Sequence, residues 1–525
     1  MTGFIDVLLR GLLLTFVSIA VGGVAWLRLV LRVEPGTKPD GVAAVALRLV
    51  ATSAFLAAAA QAAVIVLVLA DLAASAGGLP LGPYLETAFA RVALARVALA
   101  IGLGATALRL AGRPGGRRLW AGLLAMALAL VASSAALSHA SARLEDRALL
   151  LTLDAIHQLA IAVWVGGLAH LALHAFRTRT EPDPHDRNIA RRFSSLALGA
   201  VVTLVLTGVV MTVRYVGELE AMIGTAYGVM VLSKIVLLAA ALGLGWTNFR
   251  LVRRAAAGPS TPRLARVVEV ELGLGITVLF AAASLTSLPP AIDVRADRAT
   301  AGEVAARFVP APPRLTSPPV EELLRTAEPL LAPTGERAPV ERAWSEYNHH
   351  WAGFFVLTMG LLAVAERRGF PPARHWPLVF LGMAAFLFVR NDPRAWPLGP
   401  AGFWESMALP DVLQHRAFVL LIVAFAVFEW MVRTGRLRPR PWGYVFPLLC
   451  AVGGGLLLTH SHAMFGLKAE FLTEVSHTPL GILGAFAGWA RWLEVRLPEA
   501  GPTPGWLWRA CFIGVGLLLV FYREG

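Results

Sequence analysis

The sequence predicts an all-α polytopic membrane protein, on three observations. The chain has 525 residues of which 57% are hydrophobic, with a mean hydropathy of +0.65. Apolar runs recur along it at the roughly 18 to 25 residues needed to cross about 30 Å of hydrocarbon. The basic residues, 44 of the 47 being Arg, fall mostly in the short loops between those runs. The net charge of +13 is therefore an expression of membrane topology and argues against a nucleic-acid partner. Cys450 and Cys511 stand alone in apolar segments and read as core residues, which excludes a disulfide framework and a paired-cysteine metal motif.

Fourteen spans are predicted, at about 4–30, 43–70, 88–110, 119–138, 149–174, 193–213, 226–248, 265–288, 348–366, 376–390, 411–432, 443–460, 475–493 and 505–522. The first is too long for a signal h-region and lacks a cleavage site, so it is expected to stay as a helix. Alternate loops, with their flanking helix ends, hold about 28 basic residues against about nine in the opposite set. Positive-inside orientation puts the first set in the cytoplasm and both termini outside, in the periplasm for a bacterial inner membrane protein. A Pro-rich polar segment, 291–344, separates an eight-helix domain at 1–290 from a six-helix domain at 345–525, with a short helix expected at about 318–328.

In the first domain the run from Asp154 to His170 stands out. His157 and Trp164 are seven residues apart and fall on one helix face, while Gly166 and Gly167 permit a close helix crossing. His157 lies roughly 12 Å deep at 1.5 Å per residue, where an ionisable group is a functional candidate. The alternative is a histidine that makes one interhelical hydrogen bond. Asp154 can orient His157 or cap the helix, and the outer end of the preceding span allows a His139–His157 ligand pair. Lys234 can reach Glu271 across two helices, or snorkel. His170 and His174 share a face at the cytoplasmic end, where a solvated helix end is the preferred reading and an ion held between the two imidazoles the alternative.

This domain resembles the copper resistance protein D (CopD) family of inner-membrane proteins. The resemblance is carried by the run from His157 to Gly167, by Arg191-Arg192-Phe193-Ser194, by Gly224 to Gly228 leading to Lys234, and by Glu269 to Glu271 followed by Leu285 to Pro290. It covers about 140–291 well and the first 140 residues loosely. It implies copper handling, with uptake across the inner membrane in concert with a periplasmic CopC-like copper carrier.

The second domain gathers His349, His350, His415, His460, His462 and His477 at four helix ends that topology places on the outer face, with Met464 beside them. Imidazole suits both copper oxidation states and thioether selects Cu(I), and neither is consumed in an oxidising compartment. His460 and His462 point the same way only if the chain leaves the helix after His460. Three readings stay open. The first is a copper-binding protein that takes the ion at the periplasmic face and passes it inward, with His157 as an intramembrane relay. The second is a membrane haem b or copper oxidoreductase; a single haem at the outer surface fits, whereas a two-haem wire lacks the second helix it needs. The third is a copper chaperone for oxidase assembly. The chain has neither a Walker A sequence nor an Asp-Lys-Thr-Gly phosphorylation sequence, which disfavours an ATP-driven pump.

Overall fold

The computed structural model describes residues 2–178, 184–254, 261–326, 338–459 and 468–524. Among them the protein is helical and contains no strand. Twelve helices among the described residues have the length and apolarity to cross a membrane. The two remaining predicted spans are helices as well, Pro339–Arg367 and His477–Arg496, but they carry charged residues that lower their hydropathy. The expected short helix is present at Val320–Thr326.

The chain forms two compact units. One comprises Thr2–Leu219 and Met230–Asp293; the other comprises Glu220–Val229 and Val294–Gly525. The long helices of the first unit are Phe4–Val30, Gly41–Ala76, Ala88–Gly112, Arg117–Ala136, Arg147–Arg177, Asn188–Val216, the part of Ala226–Arg250 from Met230 onward, and Leu264–Leu285. Apolar length makes them helices, since a lipid-exposed backbone must satisfy its own hydrogen bonds. Small residues then decide which of them touch. A Cβ on Gly22 would lie 2.2 Å from Ala162 O, and one on Gly166 2.0 Å from Ser18 O, so the first and fifth helices cross backbone to backbone. Both helices contain a π-helical turn near this crossing, Trp26–Val30 and Ala162–Gly166. Such turns are often found at functional sites.

The second unit packs Pro339–Arg367, Pro371–Arg390, Pro410–Arg433, Pro439–Thr459, His477–Arg496 and Thr503–Val520 around an aromatic core that includes Trp376, Phe380, Phe446, Trp508 and Phe512. Gly454 and Gly488 bring two of these helices into backbone contact, with Cβ positions 2.2 Å from Ala485 N and 2.3 Å from Ala451 N. The Pro-rich segment folds with this unit. Thr300 caps the helix Ala301–Ala306 through a capping box with Glu303, Ala299 N donates to Gly224 O at 3.0 Å, and Ala299 and Val304 pack against Phe471, Leu472 and Val475. Lys468 Nζ reaches Glu303 at 2.6 Å.

Candidate metal-binding sites

In the second unit, His349, within the helix Pro339–Arg367, and His477, at the start of His477–Arg496, converge. Their ring centroids are 5.5 Å apart at 74°, and Tyr522 stacks on His349 at 3.9 Å. His349 Nδ1 lies 2.8 Å from Ser345 O. A carbonyl only accepts, so Nδ1 carries the proton and Nε2 the lone pair. Both histidines line a cavity of about 430 Å³ that also includes Asn348, Asn391 and Cys450 and is otherwise mainly apolar.

His350, one residue on, is placed differently. It is 1% exposed, accepts from Arg314 N through Nδ1 at 2.6 Å and donates to Tyr522 O through Nε2 at 2.8 Å. Both nitrogens are spent inside the fold, which leaves no lone pair for a metal. His415 Nδ1 pairs with Asp392 Oδ1 at 2.9 Å and does not line the cavity. His460, His462 and Met464 lie outside the described residues. Among the described residues no three His, Cys, Asp or Glu side chains are grouped so as to hold an ion.

In the first unit His157 Nδ1 is 2.9 Å from Thr207 Oγ1, whose hydroxyl donates to Thr203 O at 2.7 Å. The hydroxyl proton being used, His157 is the donor, in an interhelical bond. Trp164, predicted to share its face, instead donates from Nε1 to Glu271 Oε1 at 3.2 Å on another helix. Trp164 sits in the π-helical turn Ala162–Gly166, and the two side chains bond to different helices. Asp154 accepts from Gln158 Nε2 at 2.7 Å rather than orienting His157. Glu271 Oε2 accepts from Asn248 Nδ2 at 2.6 Å, so its partners are Asn248 and Trp164, and Lys234 interacts electrostatically with Asp154 instead. His139 Nε2 is 2.8 Å from Leu285 O, and so the two imidazoles of the expected His139–His157 pair are held by different neighbours.

These polar helices meet a family model. Residues 187–285 match the model described as Copper resistance protein D. Over that segment the chain is similar to the CopD family. The matched CopD segment contains Thr207, Lys234, Asn248 and Glu271; His157 and Trp164, which precede it, bond directly to two of these. The chain is also 30% identical over 174 residues to the copper transport protein CutJ of Bacillus subtilis (strain 168), a match that covers 32% of this chain. It spans 31% of that relative's length. No solved structure matches the chain.

Two features escaped the sequence. Cys450 lines the cavity beneath His349 and His477, although its apolar surroundings read as core. Near the opposite ends of these helices, at the arginine-rich side, Arg367, Arg433, Arg491 and Arg509 interlock with Glu366, Glu429 and Glu494. Trp508 Nε1 donates to Glu494 Oε2 at 2.6 Å, and Trp376 Nε1 to Glu366 Oε2 at 3.0 Å. The repeated Arg and Glu at the basic ends of three predicted spans were the available signal.

Proposed function

We propose that the protein binds copper at the histidine end of its C-terminal unit and passes it into or across the inner membrane. The observation that carries this reading is the meeting of His349 and His477, 128 positions apart in sequence, at a cavity that leads toward Cys450. Imidazole and the Cys450 thiol lining the same cavity form a set of soft donors suited to copper. His460, His462 and Met464 belong to the same helix end by sequence and would complete the ligand set. The CopD segment and the name of the CutJ relative support copper as the cargo. A CopC-like carrier docking on the outer face is the expected source of the ion, and His157, bonded to Thr207 of the CopD segment, the expected relay in the first unit.

The geometry favours copper over haem at this pair. The two rings stand edge to face 5.5 Å apart with Tyr522 stacked on one, an arrangement that does not set them opposite each other as two axial ligands of one haem. Purified protein is expected to be free of a Soret band and to carry copper. The combined variant His349→Ala/His477→Ala should lose one copper per chain by elemental analysis; unchanged metal content would sink the proposal.

A further inference from the structure

His170 and His174 stand four residues apart on one face of the fifth long helix, Arg147–Arg177. The solvated helix end expected there is not what forms: the two residues are 2% and 8% exposed. The first helix covers them. A Cβ on its Gly23 would lie 2.3 Å from His170 Nε2, and Trp26, on its π-helical turn, has its ring 6.2 Å from His170 and 6.4 Å from His174.

Each imidazole donates its Nε2 proton inside the fold. His170 Nε2 lies 3.2 Å from Ile19 O, so the proton sits on Nε2, and Nδ1 is a buried lone pair with no hydrogen-bond partner among the described residues. His174 Nε2 lies 2.9 Å from Asp186 Oδ1, so Nε2 bears a proton and Nδ1 is the nitrogen outside this pair. A metal-bound imidazole characteristically donates its second N–H to a carbonyl or carboxylate, which fixes the ring and raises its basicity. Here one ring has the carbonyl and the other the carboxylate before any ion arrives. Both residues line a cavity of about 380 Å³ together with Trp26, Asp40 and Arg177. Asp40 and Arg177 bring one charge of each sign to this lining, and the indole face favours a cation beside it.

We infer that His170 and His174 form a second copper site, a pair of imidazoles for Cu(I) at the arginine-rich end of the first unit. The inference rests on the reading that this protein carries copper. Two nitrogen donors without a thiolate suit a station that must release its ion.

The test is a Cu(I) titration of full-length protein in lipid nanodiscs against a chromophoric competitor. His170→Ala/His174→Ala should remove one copper per chain, and His349→Ala/His477→Ala a different one. Equal copper content in wild type and the His170/His174 variant overturns the inner site and leaves the outer one standing. Loss in the inner variant alone supports this site and removes the outer ligand pair; no copper on wild type overturns both. If the inner variant does not fold, Arg177→Gln decides the matter in the His349→Ala/His477→Ala background. Removing that exposed charge should tighten the remaining copper about two- to fivefold at low salt, and unchanged affinity overturns the site.

Discussion

In the unit of residues 2–219 and 230–293, the buried polar side chains are satisfied in ones and twos: His157 by Thr207, Asp154 by Gln158, Glu271 by Asn248 and Trp164. In the C-terminal unit four arginines and three glutamates join one network at the basic helix ends, while the opposite ends open into a cavity rimmed by His349 and His477. The difference teaches what each arrangement is for. A network of mutually paired charges ties several helices together, since each group would be costly alone in hydrocarbon. A single buried hydrogen bond leaves the second nitrogen of a histidine, or the second oxygen of a carboxylate, available for another task. Burial alone therefore does not mark a site; the number of polar atoms left over does.

Three measurements sharpen that contrast, and the largest effect is expected in the network. Glu494→Ala leaves Arg367, Arg491 and Arg509 short of their shared partner and should cost about 3–5 kcal/mol. The readout is thermal unfolding in detergent, and an unshifted transition would show those charges to be hydrated rather than paired. Next come the adjacent histidines. His350→Ala orphans Arg314 N–H and Tyr522 C=O and should lose about 1–3 kcal/mol while keeping copper. His349→Ala should do the reverse, losing copper with little change in stability, so an exchange of the two phenotypes would reverse the assignment.

The smallest effect concerns the Pro-rich segment. Lys468 first, and the Thr300 backbone N–H and hydroxyl after it, hold the exposed Glu303 carboxyl at about 2, below its ordinary 4.5. A carboxylate depressed by folding contributes stability above its unfolded value and loses it as pH falls through the folded one. The anchoring of Ala301–Ala306 should thus be complete above pH 4.5 and fade toward pH 2. Pepsin cleavage in 294–319 at pH 4 and at pH 2 reports it, with faster cutting at the lower pH beyond that of a Glu303→Gln control; equal ratios in the two proteins would remove the carboxylate from the account.

Much of the fold was legible because it is local. Apolar run length foretold the helices, and even the two polar ones formed where the pattern placed them. The histidines at 349 and 477 were brought to one level by counting helices. The separate partners of His157 and Trp164, Thr207 and Glu271, were not foreseen, and the π-helical turn that holds Trp164 leaves no trace in a hydrophobic pattern. Cys450 was passed over because an apolar neighbourhood looks the same whether it is packed solid or lines a cavity.

The amino-acid sequence by itself determined that this protein is a helical membrane protein and which helix ends carry imidazole and which carry arginine. Those properties depend on run length and composition within one segment. Only the tertiary structure decided which nitrogens remain to bind a metal, because the bonds that use them up join residues far apart: His157 to Thr207 over 50 positions, His170 to Ile19 over 151 and His350 to Tyr522 over 172. A lone pair is free or spent according to what another helix places against it, and no local pattern encodes that.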